Sequence, residues 1–359
     1  MPRSALQTKP EQLQHTAPPR GVLPGLLLVA LFCAGLFGTA ALFDLLLPFP
    51  PVPAVKGKLD WLAQHGDEYD TLFIGSSRTF CHILPETFDR LMAESGMPTH
   101  SFNLGINGMR SPEDTCLLEK ALAKRRAPLK LVVVEANAMR VHDSAADQAH
   151  GTLREVYWHD WRRFTALWRC IREMKVSGSK HLSLRLVFRK SAAMRYNIGL
   201  YLSKTLSLGR GLERLEACLG EKEQTPPDAL GKRFDGYVMY DTPVREINEE
   251  NWDLLRMKLK DPIRPDYNTN ASQAELEEKR RLIESFGGQM VAFIPPVAGG
   301  TVFVPNPVLH RRLATLSFAH PELYPELFQR ENRLDTAHLN QRGAELFTRR
   351  LVEKILVLH

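Results

Sequence analysis

From Leu59 to Arg140 apolar runs alternate with amphipathic stretches at a regular spacing. "LDWLAQHGDEY" reads as a short helix, and "DTLFIG" as a strand that ends on glycine. "PETFDRLMAES" returns to helical periodicity, with Pro85 at a favourable first-turn position. "THSFNLGI" is a second strand. "SPEDTCLLEKALAKRR" is a helix with Ser111 expected as N-cap, Pro112 at the first helical position, acids in the first turn and bases in the last. "LKLVVVEAN" is apolar throughout, as a strand buried on both faces is. Three strand–helix units in succession predict an α/β domain with a doubly wound, flavodoxin-like, mainly parallel sheet.

The rhythm breaks between residues 141 and 268 and then returns. "ASQAELEEKRRLIESFGG" is a helix closed by Gly287, "QMVAFIPP" a strand stopped by Pro295, and Gln341 to Val357 a closing helix. The α/β domain is therefore expected in two parts, 57–140 and 269–359, around a long, mostly helical insertion at 141–268. Within it, Arg154 to Arg214 holds fourteen Lys or Arg against four acids, with Trp158, Trp161 and Trp168 among them. Such a segment is either a solvated helical face with its tryptophans turned inward or a basic, aromatic surface for anionic headgroups or an acidic polymer.

The N-terminus has a different pattern. Val22 to Phe43 carries no charge over 22 positions, enough to cross a hydrocarbon core of about 30 Å as a helix. Arg3, Lys9 and Arg20 precede it against Glu11 alone, so the positive-inside rule keeps that end in the cytoplasm. The expected plan is a cytoplasmic tail (1–21), a transmembrane signal anchor (22–47), a Pro-rich spacer (48–56) and a domain in the periplasm or outside the cell. The alternative is a signal peptide cleaved after "GTA" at Gly38 to Ala40.

Composition narrows the function. A chain of 359 residues with 44% hydrophobic and 25% charged residues is globular in type, and a net charge of +6 is modest. No zinc-finger spacing, aromatic RNA-binding signature or basic tail argues for nucleic acid. No metal cluster, Walker loop or dinucleotide fingerprint argues for a cofactor. Cys81, Cys116, Cys170 and Cys218 show no C-x-x-C spacing and specify no disulfide pairing, and Cys33 falls within the apolar run.

Candidate chemistry gathers where strands run out. Gly75-Ser76-Ser77-Arg78 follows the first strand, "NLGING" the second and "VVVEAN" the third, and "LDTAHLNQRG" precedes the last helix. Open α/β sheets bind ligands at that edge. A serine hydroxyl needs a base to become a nucleophile, and Asp335 stands three residues before His338, close enough to orient its imidazole. Arg78 is either a structural ion-pair partner or a contact to an anionic substrate.

These blocks, over Asp70 to Arg140 and about Gln289 to Leu351, resemble the Ser-Gly-Asn-His (SGNH, or GDSL-like) hydrolase superfamily. The closer likeness is to membrane-anchored, exported members such as alginate O-acetyltransferase and teichoic-acid D-alanylation proteins. The resemblance implies Ser77 as nucleophile, His338 as general base and Asp335 as its orienter. It implies an oxyanion hole from the main-chain N–H groups of Ser77 and Gly108, with Gly105 as the alternative glycine. The family's third block is Gly-x-Asn-Asp, whereas this chain has Glu135-Ala136-Asn137-Ala138. Asn137 is then the substitute donor, or Asn107 serves from the second block, or the hole has one donor fewer. The implied activity is ester hydrolysis or O-acyl transfer, with no cofactor, on an acylated sugar or envelope polysaccharide, in company with envelope-biosynthesis proteins. The contrasting expectations are a non-catalytic protein of the same fold that binds polysaccharide or partner proteins, and a membrane-associated scaffold acting through the insertion.

Overall fold

The computed structural model describes residues 22–46, 52–141, 153–174, 184–206, 230–238, 245–266 and 269–358. The N-terminal tail, the start of the Pro-rich spacer, parts of the insertion and Cys218 lie outside the described residues. Cys81, Cys116 and Cys170 are buried free thiols.

Five strands form the central sheet: β1 (Thr71–Ile74), β2 (Ser101–Asn103), β3 (Leu131–Glu135), β5 (Gln289–Ile294) and β7 (Ala314–Ser317). Their order is β2-β1-β3-β5-β7, and every pairing is parallel. This is the doubly wound order of flavodoxin-like sheets, with the reversal between β1 and β3. Because side chains alternate along a strand, each run feeds two cores. Leu72, Ile74, Val132, Val134 and Ala292 join one apolar cluster, and Phe73, Val133, Val291 and Phe293 join the other. The first cluster packs under α2 (Pro53–His65), α5 (Glu113–Leu122), α10 (Asn270–Ser285) and the short α11 (Pro307–His310); the second packs under α4 (Pro85–Glu94) and α12 (Gln341–Leu356). Apolar runs without alternation are thus explained by helices on both faces.

Two local expectations are corrected, and strands appear where none was expected. The Pro-rich spacer does not reach residue 56, since α2 begins at Pro53, whose fixed φ and missing N–H suit the first helical position. Ser111 does not cap α5; Pro112 occupies the N-cap position, and the Ser111 hydroxyl accepts from the buried Lys279 ammonium, which also pairs with Asp114. The strand β7 lies at the sheet edge, half-buried and with too short an apolar run to stand out in the sequence. The insertion, expected to be mostly helical, also carries β4 (Ile263–Asp266), which pairs with β6 (Gly300–Phe303) in a small parallel sheet.

The rest of the described insertion contains α6 (Leu153–Tyr157), α7 (Trp161–Glu173), α8 (Leu184–Thr205) and α9 (Glu249–Leu259). The tryptophans of its basic, aromatic stretch divide. Trp158 is buried, while Trp161 is 62% and Trp168 36% exposed. Arg162 and Arg163 pair with Glu119 of α5, and Arg154 with Glu113, so part of the positive charge fixes the insertion to the α/β body. The N-terminal helix α1 (Val22–Leu46) is apolar over Pro24–Leu46 with a mean hydropathy of 2.4, long and apolar enough to cross a membrane.

Candidate active site

The chain after β1 turns directly into α3 (Ser77–His82), with Ser76 as N-cap accepting from the Arg78 N–H. This turn stands at the point where the sheet order reverses, the place where doubly wound sheets leave a crevice. Its anchor is Glu135, the last residue of β3 and fully buried. The Glu135 carboxylate accepts from the Ser76 N–H at 2.7 Å, the Ser76 hydroxyl at 2.7 Å and the Thr79 hydroxyl at 3.1 Å. Arg78 completes its surroundings as an ion pair at 3.1 Å. A carboxylate offers about four lone-pair directions, so one side chain satisfies the whole turn. The arrangement also explains Gly75: a Cβ there would lie 2.1 Å from the Thr79 hydroxyl and 2.5 Å from the Glu135 Cβ. Gly75 is needed for close approach.

Ser77 points to the C-terminal segment. Its Oγ lies 2.8 Å from His338 Nε2, and His338 Nδ1 lies 2.8 Å from Asp335 Oδ2. Asp335 Oδ1 accepts from the N–H groups of Ala337 and His338. Partial burial disfavours the Asp335 charge, but the hydrogen bonds from the His338 ring and the Ala337 and His338 N–H groups outweigh it and hold the carboxyl below its ordinary range. An ionised Asp335 accepts a hydrogen bond from the His338 Nδ1–H, which leaves the Nε2 lone pair facing the Ser77 hydroxyl.

The segment carrying Asp335 and His338 is itself held. Leu334 N–H donates to His338 O at 3.0 Å, and Arg333 and Leu339 form an antiparallel bridge. Asn340 caps α12 by accepting from Gly343 N–H at 3.0 Å, and its amide donates to Glu331 O. Gly343 leaves room for the Asn332 carbonyl, which a Cβ would meet at 2.1 Å. These contacts give the Asn340 and Gly343 of "LDTAHLNQRG" a mechanical meaning. Arg333, fully buried, donates to Leu327 O and to Pro296 O beyond β5, which seats the loop at the carboxyl end of the sheet.

The other expected residues divide. Asn137, two residues beyond Glu135, is buried, and its side-chain N–H₂ has no hydrogen-bond partner. Arg78 is engaged by Glu135, in line with its structural reading. Asn107 and Gly108 are exposed and sit in a turn closed by Met109 N–H to Ile106 O, where Gly108 takes φ +68°. Asn107 gives its carbonyl to Arg154 of the insertion at 2.7 Å. Gly108 lines a narrow cavity with Arg110, Glu113, Arg140 and Trp158. The contacts that tie this block to the serine turn run instead through its neighbours: Ile106 N–H donates to Gly75 O, and a Cβ at Gly105 would stand 2.6 Å from the Phe80 nitrogen.

Several supports had no local signal. Asn103 donates to the Thr79 and Ile83 carbonyls and accepts from Gly105 N–H, binding β2 to the end of α3. Lys58, fully buried, donates to the carbonyls of Asn103, Gly105 and Gly236. Burial pulls its pKa well below that of an ordinary lysine, while three carbonyls match the three donors of an ammonium. His82 is fully buried, and its Nε2 accepts from Leu339 N–H at 3.0 Å, next to His338. Burial first, and then the nearby His338, Arg333 and Arg78, push its pKa well below the ordinary value, so the ring is neutral. No protein-family model, curated protein or solved structure matches the chain.

Proposed function

We propose that this protein is a membrane-anchored serine esterase or O-acyltransferase of the Ser-Gly-Asn-His type, with its domain outside the cytoplasm. The observation that carries the reading is the continuous relay from Ser77 Oγ through His338 to Asp335, 2.8 Å at each link, at the reversal point of a doubly wound sheet. In the reaction, Ser77 Oγ attacks an ester carbonyl as its proton passes to His338 Nε2. Asp335 stabilises the imidazolium that forms. The tetrahedral oxyanion is met by the Ser77 N–H, which at the first helical position has no intrahelical acceptor, and by the unpartnered Asn137 amide. His338 returns the proton to the leaving alcohol, and an acyl-serine remains. Water or a sugar hydroxyl, deprotonated in turn by His338, takes the acyl group and frees Ser77.

An apolar anchor and a basic N-terminal tail support a single-pass topology with the N-terminus in the cytoplasm. With the likeness to exported acyltransferases, they favour an acyl ester of envelope polysaccharide as substrate. The test is hydrolysis of O-acetylated oligosaccharides by the full-length protein in detergent. Release of acetate that disappears in Ser77→Ala is expected. Equal behaviour of wild type and Ser77→Ala on every ester and acceptor would end the catalytic reading and leave a binding protein of this fold.

A further inference from the structure

The helix α8 has two apolar faces. One, with Leu186, Ala193 and Leu200, is buried. The other is exposed: Leu184 is 76%, Val187 45%, Phe188 71%, Ile198 37% and Leu202 46% open to solvent. These positions recur every three or four residues, apart from a central interval held by Ser191 and Arg195, so they form one stripe along the helix. An ordinary surface helix turns its second face polar, and an exposed apolar stripe of this extent marks an interaction site. Over its 22 residues α8 carries five Lys or Arg and no acid. Trp161 of α7 lies against Tyr201 of α8, their rings 5.6 Å apart and tilted at 57°.

Two observations say what covers this stripe. Lys204, at the end of α8, pairs with Asp44 near the end of α1, and Ala40 of α1 is buried. Lys204 leaves the helix on the face opposite the stripe, so the pair sets the end of α8 beside the end of the apolar helix, with the stripe still open. The charge of α8 is also complementary to an anionic surface, while Arg162 and Arg163 of α7 are neutralised by Glu119, Glu278 and Asp160.

We propose that α8 lies in the plane of the membrane that α1 enters, its apolar stripe at the boundary between headgroups and acyl chains and its basic residues on anionic lipid. Helices with an apolar face, flanking bases and interfacial aromatics bind in this way. The Lys204–Asp44 pair then fixes the angle between anchor and domain.

The test uses the full-length chain in nanodiscs of phosphatidylcholine and phosphatidylglycerol, with and without brominated acyl chains. Phe188→Trp places an indole on the stripe, and the wild-type signal is subtracted. Brominated lipid is expected to quench the added emission by about half. Ile198→Trp, further along the stripe, repeats the measurement in a second variant. Equal quenching in discs of phosphatidylcholine alone would overturn the electrostatic part of the proposal. Indoles that are unquenched at both positions would overturn it entirely, whether they stay in water or become buried against a second copy at higher protein concentration.

Discussion

Asn137 separates stability from chemistry more cleanly than any other residue of the site. Its amide is buried and donates to nothing, so removing it breaks no hydrogen bond of the resting protein. Asn137→Ala should leave the melting temperature near that of wild type and lower turnover by about 100-fold with little change in KM, as for other lost oxyanion donors. Steady-state kinetics and a melting curve on the same preparation check both halves. His82 makes the opposite prediction. It stays neutral in the fold, while an unfolded chain protonates it below about pH 6.5. The unfolded state then binds more protons, so stability falls as pH drops below that value, by up to about 1 kcal/mol per pH unit. His82→Gln keeps an acceptor for Leu339 N–H but does not titrate. Its melting temperature should fall less than that of wild type between pH 7 and 5, and parallel curves would refute the assignment. At this scale the meeting of Ser77, Asp335 and His338 was legible because each stands in a short motif at a strand end or helix start. Glu135, Asn103, Lys58 and His82 were not, because their partners lie 20 to 257 residues away in the chain.

Among elements, β3 does more than its length suggests. Its apolar run builds both cores, and its last residue carries the charge on which the serine turn is assembled. Glu135→Gln replaces an acceptor-only group with one that turns two N–H bonds toward the Ser76 donors and the Arg78 guanidinium. Breaking a buried ion pair of this kind costs roughly 3 to 5 kcal/mol. A lowered melting temperature and a loss of turnover should appear together, in contrast to Asn137→Ala; an unchanged melting temperature would show that the turn holds without the charge. The main strands were legible in sequence because strands covered on both sides must be apolar throughout. β6 and β7 were not, since most of their residues are partly exposed. The expected cap at Ser111 failed for a related reason: a local rule cannot anticipate that a buried Lys279 claims the hydroxyl.

For the whole molecule, the chain comprises an apolar N-terminal helix, a split α/β body and an insertion that contacts both. The break in alternation after residue 140 located the insertion, but not its attachments. Arg154 reaches the second-block turn, Arg162 and Arg163 reach α5, and α8 reaches α1, all through side chains that composition alone records as excess charge. The insertion thus contacts the turn at Asn107 and α5 of the α/β body, and the apolar helix α1 as well. Everything in this picture that concerns catalysis depends on Ser77 being a nucleophile activated by His338, and covalent capture tests that directly. Treating the full-length protein with a fluorophosphonate and mapping the adduct by mass spectrometry should place one phosphonate on Ser77. The labelling rate should fall by at least about 100-fold in His338→Ala, because the serine then lacks its base. No adduct at Ser77, or labelling at the same rate without His338, would contradict the account.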